Sequence, residues 1–174
     1  MAVIESAVVV EAVAGGVPAS AACTYELDGG IAAIEVEAST IVAVLEFLRD
    51  EPSLAFRMFL DLTAIDHEAD LGQLELVYSL RSLEHGRVAI KTRVDAAAAQ
   101  APSISTVFRG ANWAEREVYD MFGVDFVGHP DLTRILMYEE FVGYPLRKSY
   151  PFDKRQPLVP ERDPINNPWP KRYT

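Results

Sequence analysis

Between residues 115 and 129, Glu115, Glu117, Asp120 and His129 have the right types for catalysis. A carboxylate beside an imidazole is a common general acid–base pair. A hydrolase using Glu115 or Asp120 with His129 is the reaction they could support if they converged on one pocket. Spacing limits this, because residues two apart on a helix point about 200° away from each other, so Glu115 and Glu117 cannot flank one bond. The plain alternative is a solvated helix face on which Arg116 and Asp120, at i and i+4, contribute only ~0.2–0.5 kcal/mol. Metal chemistry has less support, since His67, His85 and His129 are too scattered to place two ligands on one helical face. The lone Cys23 can form no disulfide within the chain and cannot supply the thiolates of a zinc ribbon or iron–sulfur cluster, which suits a reducing compartment. Neither GxGxxG nor GxxxxGK[ST] occurs, and Ser79 and Ser82 sit in no nucleophile elbow. His129-Pro-Asp131 matches the tripeptide of J-domain cochaperones without the two long helices that would flank it, so Gly128-His-Pro reads as a turn.

These residues must be positioned by a small set of elements. Asn112 can cap a helix ending at Gly123, with Glu115 reaching back as in a capping box. Its apolar stripe is Ala111, Ala114, Val118, Met121 and Phe122, which turns Glu115, Arg116, Glu117 and Asp120 mostly away from the core. Upstream, residues 2–14 predict a short helix stopped by Gly15, Gly16 and Pro18, and residues 31–37 alternate as a half-buried strand. Ser39 or Thr40 caps a helix carrying Ile41, Val44, Leu45 and Leu48, and Pro52 follows its end. Three apolar-rich runs, 55–65, 74–80 and 88–94, read as an antiparallel meander, and Pro102 as the start of a helical turn. The fold class is therefore α+β: a mainly antiparallel sheet, a few packed helices and a long, extended, proline-rich C-terminal tail. Residues 1–144 form the compact domain, with 1–20 as a flexible leading stretch, and 145–174 form a docking tail.

Composition agrees with one domain. The chain has 174 residues, 49% of them hydrophobic and 24% charged, enough apolar material for a core without disulfides. The first 13 residues hold Glu5 and Glu11 but no Lys or Arg, which is unlike a secretory or transit leader. No run approaches the ~20 apolar residues that span a bilayer. The net charge of −10 is uneven: seven basic residues face three acidic ones beyond position 146, giving +4 there and −14 over 1–146. Such a body repels nucleic acid and anionic lipid. The tail holds seven of the 11 prolines yet keeps Tyr150, Phe152, Ile165 and Trp169, anchors that a freely solvated tail would not need.

The run from Glu115-Arg-Glu-Val-Tyr-Asp-Met-Phe-Gly123 through Gly128-His-Pro-Asp-Leu-Thr-Arg-Ile-Leu136 resembles the signature of the C-type subunit family of energy-converting NADH:quinone oxidoreductase, complex I. It has that family's ERE…YDxFG and GHPDLxRIL elements. Phe59-Leu-Asp-Leu-Thr-Ala-Ile-Asp66 is similar to the family's LDLTAxD, and Tyr144-Pro-Leu-Arg-Lys-Ser-Tyr-Pro151 to its PLRKDYP, with Ser149 where Asp is usual. The resemblance implies a structural subunit of the peripheral arm with no catalytic residue, metal or cofactor of its own. The complex it belongs to would use NADH, FMN, iron–sulfur clusters and quinone, and couple electron transfer to proton translocation. Its implied partners are the D-type, quinone-pocket large subunit and the B-type, terminal iron–sulfur cluster subunit, and its implied place is peripheral on the cytoplasmic face of a bacterial inner membrane. The expected interface residues are Glu115, Arg116, Glu117, Tyr119, Asp120, His129, Arg134, Arg147, Lys148, Tyr150 and Trp169. A membrane-bound hydrogenase or a ferredoxin- or coenzyme-linked oxidoreductase shares the ERE region and is the related alternative.

Overall fold

A row of apolar side chains runs straight across four strands: Ile34 lies beside Ile90, Ile90 beside Tyr78, and Tyr78 beside Leu62. All four are buried, and the period-2 alternation of each strand lines up its inward set with this row. The computed structural model describes residues 6–17, 23–27, 31–67 and 71–157. In chain order the elements are α1 (Ser6–Gly16), β1 (Cys23–Leu27), β2 (Ile31–Glu35), a 3-10 turn (Ala38–Thr40), α2 (Ile41–Asp50), β3 (Met58–His67), β4 (Gln73–Ser82), β5 (Gly86–Asp95), β6 (Gln100–Pro102), α3 (Ala111–Phe122) and β7 (Asp125–Val127). Strands β1 to β5 form one sheet in the order β1-β2-β5-β4-β3. The meander β3–β4–β5 is antiparallel as expected, whereas β2 joins β5 in parallel, so the α+β sheet is mixed.

Helix α2 buries Ile41, Val44, Leu45 and Leu48 against the inward face, each contributing roughly 1.5–3 kcal/mol of burial. Neither Ser39 nor Thr40 caps it through a side chain; Thr40 Oγ1 donates instead to the Glu37 carbonyl at 2.9 Å. Helix α1 runs through Gly15 and Gly16 rather than stopping before them. A Cβ on Gly16 would strike the Phe47 ring of α2, so the glycine allows that close approach. Val9 and Val13 of α1 are in the core, which ties much of the expected flexible leading stretch to the body.

A bulge at Leu60 shifts the register of β3, so that Phe59 faces Leu80 while Asp61 faces Ser79. This holds Phe59 on the core face, stacked on Phe108 at 5.9 Å, and sends Asp61 outward. Pro102 starts no helical turn. It ends β6, which pairs in parallel with β7, and proline is tolerated at such an edge. Residues 128–157 contain no helix or strand, and residues 158–174, most of the expected docking tail, lie outside the described residues.

Gly123 ends α3 in the left-handed region at φ +73°, and its N–H donates to the Tyr119 carbonyl at 2.8 Å. A Cβ there would also collide with the Tyr144 ring, whereas Gly128, at φ +88°, faces open space. Gly123→Ala should therefore destabilise the fold by about 2–4 kcal/mol, and Gly128→Ala by only about 1–2 kcal/mol, in chemical denaturation. Equal costs would show that Tyr144 does not pack on the helix terminus.

Candidate partner interface

Helix α3 carries two carboxylates that are fully buried, on different sides and in different environments. Glu115 continues the apolar stripe between Ala111 and Val118. Its Oε1 accepts the Ile104 N–H at 2.6 Å, and its Oε2 accepts the Ser103 hydroxyl at 2.7 Å. Ser103 Oγ in turn lies 2.8 Å from Ser105 Oγ. The His129 ring is also buried. Its Nδ1 accepts the Asp131 N–H at 3.0 Å, which leaves the ring proton on Nε2, 3.1 Å from the Asn112 carbonyl and 3.7 Å from Glu115 Oε2. Burial raises the Glu115 pKa, and the Ser103, Ile104 and His129 contacts only partly offset it.

Asp120 lies on the opposite side of α3 and is held by a converging set of donors. Arg134 Nη1 donates to Oδ1 at 2.6 Å, while Oδ2 accepts the N–H groups of Ile135, Leu136 and Met137 at 3.2, 2.8 and 2.8 Å. Burial alone would raise the Asp120 pKa, but the Met137 and Leu136 amides, Arg134 and the Ile135 amide outweigh it and hold it below the usual range. Three further struts fix the following segment. Arg116 donates to the Thr133 carbonyl and hydroxyl at 2.9 and 2.8 Å. Arg147 donates to the Phe122 and Ala96 carbonyls at 2.6 and 3.0 Å. Buried Asp66, at the end of β3, accepts the Lys148 N–H at 2.7 Å.

Comparison with known proteins names the framework to which these struts belong. The family described as respiratory-chain NADH dehydrogenase, 30 Kd subunit, matches residues 34–156, which span α2, strands β3 to β7, α3 and every strut. The chain belongs to this family. Among curated members, it is 44% identical over 128 residues to the C-type subunit of NADH-quinone oxidoreductase from Methylorubrum extorquens, covering 73% of this chain and 58% of that one. It is 41% identical to the second C-type subunit of NADH-quinone oxidoreductase from Rhizobium meliloti, covering 80% and 79%. The chain thus spans little more than half the length of the Methylorubrum relatives it matches, 58% and 53%. Among solved structures, a chain from the membrane-bound sulfane sulfur reductase, an archaeal respiratory membrane complex, superposes with TM-score 0.70 at 27% identity, covering 86% and 87%. The trypsin-resistant fragment of Nqo5 shares the fold with TM-score 0.58, covering 72% of this chain and 97% of that one.

In this member of the 30 kDa family, several signature residues serve purposes other than those their types suggest. Glu115 and Asp120 are 0% exposed, so neither is the outward charge expected of a docking helix. Glu115 does not reach back in a capping box either, because the helix starts at Gly110 with no side-chain cap. The pair expected between Arg116 and Asp120 is replaced by Arg116 to Thr133 and Asp120 to Arg134. The hydrolase reading loses its geometry, since Asp120 is bound elsewhere and Glu115 and His129 meet behind a closed surface. His67 approaches Glu75 at 3.9 Å and His85 bonds to the Ser53 carbonyl, each apart from His129.

Glu117 is exposed, and Trp113 is 64% exposed with the Arg116 guanidinium 5.0 Å from its ring centroid. Tyr119 meets Tyr144 edge-on, and Tyr150 stacks on Phe141 with Lys154 over its ring. The Lys148 side chain and Ser149 are exposed. Trp169 lies outside the described residues. Sequence reasoning missed Ser103, Thr133 and Asp66 as partners. Only the i, i+4, i+7 spacing of Ala111, Glu115 and Val118 signalled that Glu115 lies on the buried stripe.

The two carboxylates should respond oppositely to substitution. Glu115→Gln keeps an acceptor for Ile104 and offers a donor to Ser103, so at neutral pH it should be at least as stable as the parent. Its advantage should grow as pH rises from the ordinary carboxylate range through the raised Glu115 value, then level off. Glu115→Ala should cost about 1–3 kcal/mol by stranding the Ile104 amide. Asp120→Asn should cost about 3 kcal/mol at neutral pH by leaving Arg134 unpaired. That penalty should shrink as pH falls through the depressed Asp120 value, where the parent also loses the charge. Urea titrations between pH 3 and 8 measure both trends; parallel curves for the parent and Glu115→Gln would contradict the buried charge.

Proposed function

We propose that this chain is a structural subunit of the peripheral arm of an NADH:quinone oxidoreductase, supporting electron transfer from NADH through iron–sulfur clusters to quinone while binding no redox group itself. The observation that carries this reading is a row of exposed apolar side chains, Leu136, Tyr138, Val142, Leu146 and Phe152, on a segment without regular structure that is nevertheless fixed in place. Phe152 is 100% exposed. Apolar surface is seldom held rigidly in water by charged struts unless something covers it. Asp120, Arg116, Arg134 and Arg147 thus act behind the interface, shaping it, while Leu136, Tyr138 and Leu146 would meet the partner.

The partners we propose are the D-type, quinone-pocket large subunit and the B-type, terminal iron–sulfur cluster subunit, with Glu117, Lys148 and Trp169 adding polar and aromatic contacts at the rim. Among the described residues no helix is long and apolar enough to cross a membrane, and no three His, Cys, Asp or Glu side chains gather as a metal site. Membrane association would then come through the complex, on the cytoplasmic face. A second reading follows from the likeness to the chain of the sulfane sulfur reductase complex: the same scaffold serving an assembly with a different electron donor or acceptor.

Tagged chain isolated from native membranes in mild detergent should bring down an iron–sulfur subunit; recovery as a free, stable monomer would overturn the proposal. Leu136→Asp with Tyr138→Asp should lower that recovery at least about tenfold, as loss of interface anchors does, without changing the far-UV circular dichroism of the isolated chain. Arg116→Ala should reduce the amount of assembled complex more than the turnover of what assembles. Normal assembly with dead chemistry would place Arg116 in the reaction instead. NADH-dependent quinone reduction by the isolated assembly separates the first reading from the second.

A further inference from the structure

The face of the main sheet turned away from the helices resolves its charges at one end and leaves them unresolved at the other. Near the end of β5, Glu75 accepts Lys91 at 2.9 Å and Arg93 at 3.5 Å, and Arg93 also reaches Glu35 at 3.3 Å. Near the β4–β5 hairpin, Arg81 lies directly across from Arg87 in the register. Like charges placed opposite each other in an antiparallel pair repel, and long side chains cannot fully escape each other there. Among the described residues neither guanidinium has an ion pair or hydrogen bond, and the Arg81 Nε is shielded from solvent with no partner. Such a shielded donor is costly unless something binds it.

Beside this pair lies a groove of about 380 Å³, walled by the aliphatic side chains of Ile31, Leu60, Val77 and Ala89. Leu60 is exposed there because the β3 bulge swings it out of the alternation. Asp61 and Ser79 also line the groove, but the Asp61 carboxylate accepts the adjacent Leu62 N–H at 2.8 Å and makes no ion pair with either arginine. On a chain of net charge −10, two adjacent uncompensated guanidiniums beside an aliphatic slot form a local inversion of the surrounding field. We propose that this end of the open sheet face docks an extended acidic segment of another protein, a carboxylate bridging Arg81 and Arg87 and a neighbouring aliphatic side chain entering the groove. Bidentate recognition of a carboxylate suits arginine, and the apolar walls suit a peptide better than a bare anion. This surface is separate from the 128–157 segment and does not depend on which complex the chain joins.

The full-length chain, labelled with nitrogen-15, is titrated with a blocked peptide alternating Val and Glu while the arginine Nε–H and backbone amide signals are followed. The acidic peptide should shift the Arg81 and Arg87 Nε–H signals and the Val77 and Ala89 amides in a saturable manner. Binding should weaken by about tenfold or more at 0.5 M salt and in Arg87→Gln, as expected for partly exposed charge pairing. Arg155→Gln, which removes an equal charge from the 128–157 segment at the other end of the sheet, should bind like the parent. No shift, equal binding of the Val-Gln analogue, equal response to inorganic phosphate at the same concentration, or shifts that track protein concentration without peptide would each overturn the proposal. The last two results would indicate a small-anion site and self-association respectively.

Discussion

The carboxylate of Asp120 is the contact on which the course of the segment following α3 depends. It gathers one guanidinium and three successive backbone N–H groups, from Arg134 to Met137, onto a single side chain at the far side of α3. Those amides belong to a stretch with no strand or helix to satisfy them, and a buried amide without a partner is costly. A charged acceptor takes the place that a ladder would otherwise fill. From that point Arg134 continues to the Gly143 carbonyl and Arg147 to the end of α3, so an irregular segment acquires a defined course over the helix.

Glu115, five residues earlier, shows how environment decides what a carboxylate contributes. Both side chains are sealed from water, yet Asp120 has enough donors to overcome its desolvation and Glu115 does not. Asp120 therefore supports the fold in its charged form, while Glu115 fixes the loop before α3 at the expense of a strained ionisation. The 103–105 loop, with β6 ahead of it and β7 beyond the helix, depends on this geometry, because the Ile104 amide and the Ser103 hydroxyl both terminate on Glu115.

The division of the sheet into a covered and an open face carries the same theme. On the covered face, burial of aliphatic rows settles the arrangement; on the open face, charge does. Glu75, nearly buried, is neutralised by two basic neighbours, whereas the hairpin end has no such carboxylate. Together with the exposed apolar side chains on the 128–157 segment, this leaves two surfaces that the proposed partners would cover.

Strands β2 to β5 and the three helices were legible in the sequence, because apolar period fixes which residues seek the interior whatever lies opposite, whereas β1 was not read as a strand. The ERE and GHPDL runs likewise carried the family by themselves. Parallel pairing of β2 with β5 was not legible, since alternation gives a strand two faces but no neighbour, and the β6–β7 pair was too short to register. Glu115 stood on the buried stripe by spacing, but its charge argued the other way, and only the Ser103 and Ile104 donors resolve the conflict. Asp120 lies about 180° around the helix from Ala111, where periodicity places solvent. Its burial was decided by the tertiary structure alone, because the residues that cover it come from a segment without any periodic pattern, brought across α3 by the very hydrogen bonds that Asp120 accepts.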